Sequence, residues 1–197
     1  MAAVRQTEYE IHPQFTARWS SRAFTGEPIP EATLLAFIEA ARWAPSAFNA
    51  QPWRFVYGVQ ETPGFEAIFG ALNEFNQGWA RRASALIAVL SATRWQAPGS
   101  STAADFPSHS LDTGAAWGYL ALQAQAAGWN AHGIGGFDRQ KLREALAVPA
   151  EFHIEAVVAI GRQGEDKSFL PESLQAREQP SPRKPLAEIA AAGRFSF

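Results

Sequence analysis

The chain contains no cysteine among its 197 residues. Disulfide bonds, thiol nucleophiles and cysteine-ligated clusters are therefore excluded, and the composition is compatible with a reducing compartment. Histidine is scarce as well, and its four positions are too widely spaced for a His-x-x-x-His or comparable ligand pattern. They are His12, His109, His132 and His153. The sequence therefore predicts no metal site.

Signatures of nucleophilic and nucleotide-binding enzymes are also missing. There is no Gly-x-Ser-x-Gly elbow to present a hydrolytic serine, and there is no P-loop lysine. The glycine cluster at residues 133–136 does not match Gly-x-Gly-x-x-Gly, and it is consistent with an ordinary turn. Because neither a protein nucleophile nor a metal is indicated, chemistry carried by an organic cofactor becomes more plausible.

Charged residues are few, at 18% of the chain, and the formal net charge is −2. Lysine and arginine are scattered, so nothing indicates binding to nucleic acid or to an anionic membrane. The sequence has neither an apolar signal core at its N-terminus nor a run of membrane-spanning length. We therefore expect a cytoplasmic protein without a membrane partner.

Apolar and aromatic residues are abundant: 47% of the chain is hydrophobic, with seven Trp and fourteen Phe. With so little charge, this composition predicts large surfaces buried by folding or association, and hence an oligomer. The length suits one domain.

Hydrophobic periodicity predicts alternating helices and strands. Helices are expected over residues 15–19, 29–45, 63–72, 108–127 and 139–146, the last capped by Asp138. Strands are expected over residues 53–59, 85–91, 129–134 and 154–161. Near-continuous apolar strands favour a layered α/β or α+β domain. Residues 94–107 are expected to form a long loop, and the apolar helix 108–127 to lie in the core or at a subunit interface.

The segment 44–53 is a loop with a proline near each end. Pro45 stops the preceding helix, and Pro52 biases the residue before it away from helical geometry. The polar residues Ser46, Asn49 and Gln51 are therefore held in a rigid loop that can present side chains to a ligand. An ordinary helix-to-strand connection explains the spacing equally well.

Four stretches, in order, resemble motifs of the FMN-dependent nitroreductase family. They are Arg18-Trp19-Ser20-Ser21-Arg22, the segment 41–53 with Ala-Pro-Ser before Asn-x-Gln-Pro-Trp, Asn76 followed by residues 83–90, and Gly-Ile-Gly-Gly-Phe-Asp at 133–138. Each alone is modest evidence, but the ordered set covers residues 15–194.

The resemblance implies an FMN site built by two subunits. The phosphate would be bound through charge-assisted hydrogen bonds by Arg18, Ser20, Arg22, Arg183 and Lys184. Trp19 stands among them at a position that is often basic in the family. The residues Pro45, Ser46, Ala47, Asn49 and Gln51 would reach the flavin of the other subunit. A lone arginine, by contrast, is also consistent with a solvated surface charge.

Two further segments are implied to contact the flavin ring. Asn76 is similar in position to an asparagine that hydrogen-bonds the pyrimidine edge, although a loop cap is an equal interpretation. Ile134, Gly135 and Gly136 would bring a backbone N–H toward flavin N5 or O4, or else form a tight turn. Hydride chemistry at N5, supported by Gly135 and Gly136, requires no protein nucleophile.

Two departures from the family pattern affect the expected site. Trp79 stands where some relatives carry a lysine near flavin N1, which leaves the donor to N1 unassigned among Arg18, Arg81 and Arg82. Arg81 and Arg82 are better explained as surface charges. Gly135 replaces a glutamate found in some relatives, so the rim of the pocket is expected to be more open.

The resemblance implies an α+β, nitroreductase-like three-layer sandwich with a central mixed or antiparallel sheet, assembled as an intertwined homodimer. Residues 1–171 would form the FMN-binding domain, and residues 172–197 an extension that embraces the partner. The implied activity is an oxidoreductase that uses NADH or NADPH to reduce nitroaromatics, quinones or related small-molecule acceptors by a ping-pong mechanism. The alternatives are a flavoenzyme with a different reaction, such as reductive dehalogenation or dehydrogenation, and a non-catalytic flavin-binding protein.

Overall fold

A four-stranded antiparallel sheet lies at the centre of the structure, a computed structural model that describes residues 5–197. Its strands are β1 (Trp53–Val59), β2 (Ala85–Ala92), β5 (Asn130–Ile134) and β6 (Phe152–Gly161). They are ordered β1-β2-β6-β5, and every neighbouring pair is antiparallel. Two short strands, β3 (Arg94–Trp95) and β4 (Ala104–Asp105), pair separately. Residues 1–4 of the predicted FMN-binding domain lie outside the described range.

Helices cover both faces of the sheet. The described residues form α1 (Gln14–Ala17), α2 (Glu31–Arg42), α3 (Pro63–Ala71), α4 (Glu74–Ala80), α5 (His109–Ala126), α6 (Arg139–Ala145) and α7 (Glu172–Gln175). One apolar cluster joins α2 and α5 to the sheet, and another joins α3, α4 and α6 to its opposite face. The prediction of an α+β three-layer sandwich is therefore confirmed, and the homodimer stays a prediction.

Strand β2 shows why the sheet lies between two layers. Leu86, Ala88 and Leu90 belong to the cluster with α3, α4 and α6, whereas Ile87 and Val89 belong to the cluster with α2 and α5. Successive side chains of a strand point to opposite faces, so a run that is apolar at every position needs a partner layer on each side.

The first predicted helix is shorter than expected. Helix α1 ends at Ala17, and Arg18 is already extended, with φ −70° and ψ 124°. The prediction that Phe15 and Trp19 share one helical face is therefore wrong. Phe15 is 51% exposed and Trp19 only 8%, because Trp19 belongs to an extended segment that is buried against the body of the chain.

Two other elements differ from the sequence prediction. Helix α4 was not expected, and its N-cap is Asn73, whose side chain accepts a hydrogen bond from Asn76 N. The interpretation of Asn76 as a loop cap is therefore wrong. Residues 94–107 are not a continuous loop, because β3 and β4 pair within them. A two-stranded ladder satisfies backbone groups there that an irregular loop would leave to water.

Helix α5 is buried on one side only. Ala116, Leu120 and Ala124 pack into the core, whereas Leu111 is 77% exposed and Tyr119 is exposed as well. The outward side therefore presents apolar surface. No helix within residues 5–197 is both long and apolar enough to cross a membrane.

The C-terminal segment, residues 172–197, has a buried part and an exposed part. Leu174 and Glu178 are buried in the body of the chain itself, and residues 181–197 are exposed throughout. The packing of the chain on itself therefore continues past residue 172, where the extension was predicted to begin. The contact of this extension with a partner stays a prediction.

An arginine-lined cleft as the candidate functional site

A cleft of about 350 Å³ lies between the segment after α1 and the C-terminal segment. Its walls carry five guanidinium groups, one imidazole and several small or polar residues. The lining residues are Arg5, Arg18, Trp19, Ser20, Arg22, His132, Ala176, Arg177, Gln179, Pro180, Ser181, Pro182 and Arg183. The structure thus brings together the predicted residues Arg18, Trp19, Ser20, Arg22 and Arg183, although Arg183 is more than 150 positions from the others.

The extended segment 18–22 explains how one short stretch supplies three polar groups. Trp19 and Ser21 are buried, whereas Arg18, Ser20 and Arg22 are only partly buried. Alternate residues of an extended chain point to opposite sides, so burying Trp19 directs its neighbours toward the cleft. Arg18 also donates a hydrogen bond of 3.4 Å to Ser20 Oγ.

The cleft is strongly cationic. Burial lowers the pKa of Arg18, and the charges of Arg5 and Arg183 lower it further. Burial likewise lowers the pKa of Arg22, against which Glu178 acts in the opposite direction. Guanidinium groups nevertheless stay protonated in proteins, so these shifts reflect desolvation and mutual repulsion that a bound anion relieves.

Glu178 is a buried carboxylate beside the cleft: its Oε2 has no hydrogen-bond partner, and its Oε1 is bonded to the backbone. Its Oε1 accepts hydrogen bonds from Arg22 N at 2.6 Å and Ala23 N at 2.9 Å. Within the described residues, Arg22 Nε and Arg5 Nη2 are buried without a hydrogen-bond partner. Buried donors are normally paired. Both residues line the cleft, so an anion bound there would offer acceptors to these two unpartnered donors.

His132 connects the cleft with the centre of the molecule. Its Nδ1 donates to Ser21 O at 3.0 Å, since a carbonyl can only accept. The ring packs against Trp79, whose Nε1 donates to Asn76 Oδ1, and Asn76 Nδ2 in turn donates to Gly136 O at 3.0 Å. A continuous set of contacts thus joins the arginine cleft to the predicted Gly135-Gly136 turn.

Lowering the pH from 7 to 5 is expected to destabilise the protein through His132. Burial, and then the charge of Arg22, lowers the pKa of His132 to about 4. Below pH 6.5 His132 is protonated in the unfolded chain but stays neutral in the folded chain. The stability present above pH 6.5 is therefore lost as the pH falls toward 4. Urea unfolding at pH 7 and pH 5 measures this loss. Between these two pH values, the free energy of unfolding should fall by about 1–2 kcal/mol less in His132→Gln than in wild type. Equal losses in the two proteins would contradict this assignment.

A second cavity, of about 480 Å³, adjoins the cleft and shares Arg18 and Ser20 with it. Its other lining residues are mostly apolar or small: Phe15, Trp117, Gly118, Ala121, Leu122 and Gly133. A Cβ at Gly133 would lie 3.4 Å from the Trp117 ring. The two cavities together offer a cationic end and an adjoining apolar surface.

The Gly135-Gly136 turn is held by α4. Gly136 O accepts from Asn73 N at 3.1 Å and from Asn76 Nδ2. A Cβ at Gly136 would lie 2.5 Å from Asn73 Nδ2, so a side chain there would displace this asparagine pair. Gly135 is exposed with open space around it, and Ile134 is buried, so Ile134 reaches a ligand only through its backbone.

The proline-flanked loop is strained and lies apart from both cavities. Phe48, Asn49 and Gln51 have backbone φ values of 55°, 53° and 49°, which residues other than glycine rarely adopt. Two side-chain oxygens hold the backbone of this turn: Ser46 Oγ accepts from Gln51 N, and Asp112 Oδ2 accepts from Ala47 N. Such strain clusters at functional sites.

The loop therefore does not meet the arginine cleft of its own chain, since Pro45, Ser46, Ala47, Asn49 and Gln51 are not among the lining residues. Instead Phe48, 80% exposed, stacks on Trp95 with ring centroids 5.2 Å apart. This position is compatible with the expectation that the loop serves a second subunit.

Other candidates lie outside the cleft. The Nζ of Lys184 is 3.5 Å from Glu188 Oε2 at the surface. Arg81 pairs with Glu66, and Arg82 with Asp166, as surface charges do. Within residues 5–197, no three His, Cys, Asp or Glu side chains form a group that could hold a metal ion.

Sequence reasoning missed five residues that shape these sites: Arg5, Arg177, His132 and Glu178 at the cleft, and Asp112 beneath the loop. Asp112 carried a detectable signal, an acidic residue in the first turn of a helix. The others carried none, because an isolated charged residue reveals nothing about its spatial neighbours.

Comparison with known proteins identifies the family and agrees with the fold. The model of the Nitroreductase family matches residues 15–62 and 59–162. A crystal structure described as an oxidoreductase containing FMN has a TM-score of 0.92 at 46% identity, covering 98% of this chain and 96% of that one. A Desulfovibrio desulfuricans protein in complex with FMN has a TM-score of 0.72 at 25% identity, covering 95% and 100%. An NADH dehydrogenase of Thermus thermophilus is 28% identical over 176 residues, covering 76% of this chain and 84% of that one. Because the family match spans most of the sequence and the fold agrees, the chain belongs to the nitroreductase family.

Proposed function

We propose that this chain is an FMN-dependent oxidoreductase that takes electrons from NADH or NADPH and passes them to nitroaromatics, quinones or related acceptors by a ping-pong mechanism. Relatives support the cofactor, since one similar structure contains FMN and another is a complex with FMN. FMN would supply the ring that accepts and returns a hydride. The chain would supply binding, orientation and shielding from water.

The observation that carries this proposal is the unpartnered, buried Nε of Arg22 in a cleft that also holds Arg18 and Ser20. A phosphate monoester offers oxygens to such donors, and arginine binds them with a planar fork. Arg183 approaches from the C-terminal segment and contributes a further positive charge. The residues present therefore fit the phosphate end of FMN.

The remainder of the cofactor would occupy the apolar cavity beside the cleft. Trp117 and the small residues Gly118 and Gly133 leave room for a flat ring there. The Gly135-Gly136 turn, held in place by Asn76, would offer a backbone N–H to the ring. Oriented N–H donors stabilise negative charge that develops on an acceptor.

Two copies of the chain would complete the site. The outward side of α5 exposes Leu111 and Tyr119, and the C-terminal segment exposes Ile189 and Phe195. Large exposed apolar surfaces mark interaction sites. A homodimer would cover them and bring the strained loop with Asn49 to the partner's cavity.

Flavin binding and reduction test this function directly. The purified protein is expected to bind FMN and to be bleached by NADH or NADPH under anaerobic conditions. Addition of a nitroaromatic or a quinone should restore the flavin absorbance and accelerate NAD(P)H oxidation.

Three negative outcomes separate the competing functions. Failure to bind FMN would rule the proposal out. Binding without bleaching would identify a flavin-binding protein without turnover. Bleaching that no nitro compound or quinone reverses would point to a different reaction on the same fold.

Replacing Asn49 with alanine is expected to impair FMN binding or flavin reduction with little effect on folding. The left-handed backbone at Asn49, with φ 53°, is tolerated somewhat better by asparagine than by alanine, so a small loss of stability comes from the backbone alone. Glu61→Ala is a control at an exposed left-handed turn outside the loop, since Glu61 has φ 66°. Equal losses of stability with unchanged flavin titration in both variants would make the loop merely structural.

A further inference from the structure

Arg5 lies outside the residues that the family model matches, yet its side chain lines the cleft. The matched region begins at residue 15, whereas Arg5 lines the cleft beside Arg18 and Arg183. We propose that Arg5 is a further phosphate-binding residue of this chain, a role that rests on the proposed use of FMN.

The geometry around Arg5 leaves one donor for a ligand. Its Nη1 donates to Arg18 O at 2.7 Å and Thr16 O at 3.2 Å, and its Nε donates to Ser181 O at 3.0 Å. The remaining nitrogen, Nη2, is buried without a partner. Because backbone carbonyls fix the plane of the guanidinium, Nη2 is held in one direction before any ligand arrives. A pre-oriented donor loses little entropy on binding.

The charges near Arg5 support the same role. Burial, and then the charge of Arg183, lowers the pKa of Arg5. Burial, and then the charge of Arg5, lowers the pKa of Arg18. Three guanidinium groups therefore repel one another at one end of the cleft. The buried carboxylate beside the cleft, Glu178, accepts two backbone hydrogen bonds at Oε1 and has no partner at Oε2, so its single charge offsets only part of this positive charge. A dianionic phosphate among these cations would convert the repulsion into attraction.

Arg5 also joins three segments that are distant in sequence. Through Thr16 and Arg18 it contacts the end of α1, and through Ser181 it contacts the C-terminal segment next to Arg183. Removing the Arg5 guanidinium would therefore have two separable effects. The phosphate would lose one hydrogen-bond donor, and the wall of the cleft would lose the hydrogen bonds to Thr16, Arg18 and Ser181.

Comparing FMN with riboflavin separates these two effects, because riboflavin lacks only the phosphate. In a fluorescence titration of the full chain, we expect Arg5→Gln to weaken FMN binding about tenfold or more, as the loss of a hydrogen bond to a charged group predicts, and to leave riboflavin affinity unchanged. Arg5→Lys, which keeps the charge but loses the fork, should recover part of the affinity for FMN. Arg143→Gln is the matched control, since Arg143 also donates to three backbone carbonyls but lies outside the cleft.

Each other result has a definite meaning. If wild type does not bind FMN, the proposed function fails and this inference fails with it. If wild type binds FMN and Arg5→Gln binds it equally well, only the role of Arg5 is overturned. If Arg5→Gln weakens the binding of FMN and riboflavin equally, Arg5 only holds the wall of the cleft in place. That result would likewise overturn the proposal.

Discussion

Replacing Arg22 with alanine is expected to weaken FMN binding by about 10- to 150-fold, which corresponds to about 1.5–3 kcal/mol for a hydrogen bond to a charged group. Arg22 Nε is buried without a partner, so the phosphate of FMN would supply the hydrogen bond that the folded chain lacks. The guanidinium is partly buried, which strengthens its attraction to phosphate relative to a solvated charge.

The same substitution is expected to leave the ligand-free fold nearly intact. Burial lowers the pKa of Arg22, so its charge is costly in the absence of an anion. The alanine variant forgoes a cation–π interaction, in which the guanidinium lies 5.8 Å from the Trp79 ring centroid. We expect the free energy of unfolding to change by less than about 1 kcal/mol.

A thermal-shift titration distinguishes the two effects. FMN should raise the melting temperature of wild type more than that of Arg22→Ala, since stabilisation follows ligand affinity. Arg162→Ala is the matched control, because its guanidinium lies 4.5 Å from the Trp129 ring centroid, outside the cleft. Unchanged FMN affinity in Arg22→Ala would remove this residue from the phosphate site.

Replacing Glu178 with alanine is expected to lower the free energy of unfolding by about 2–6 kcal/mol. The substitution leaves the N–H groups of Arg22 and Ala23 without their acceptor. Each unsatisfied buried donor costs about 1–3 kcal/mol. FMN binding should weaken as well, because these backbone groups hold the 18–22 segment against the C-terminal segment.

Chemical denaturation of three variants isolates this effect. Glu178→Gln keeps an amide oxygen as acceptor and should lose much less stability than Glu178→Ala. Glu172→Ala, an exposed glutamate at the start of α7, should be nearly neutral. A Glu178→Ala protein as stable as wild type would show that the bonds to Arg22 and Ala23 are replaced by water.

Periodicity was sufficient for the elements with a simple burial pattern. Strand β2 is apolar at nearly every position, and helix α2 buries Leu34, Phe37 and Ala41 at helical spacing. The prolines Pro45 and Pro52 correctly delimited the loop between α2 and β1. These features are local, so neighbours in sequence suffice to predict them.

Predictions failed where distant contacts decide the local conformation. Trp19 lies beyond the end of α1, although its spacing from Phe15 predicts a helix. It is buried in an extended segment, and this burial decides its conformation. Helix α4 is only seven residues long and too short to show periodicity, although Asn73 is a recognisable cap. Strands β3 and β4 have two residues each, so pairing rather than composition defines them.

The sequence by itself determined the layered fold, the proline-flanked loop and the resemblance to one family, because each depends on residues close together in the chain. Only the tertiary structure decided which charges meet. Arg5, Arg22, Glu178 and Arg183 come from opposite ends of the chain, and Glu178 is 156 positions from Arg22. Their proximity follows from the docking of Leu174 in the core, a long-range contact that no local pattern encodes.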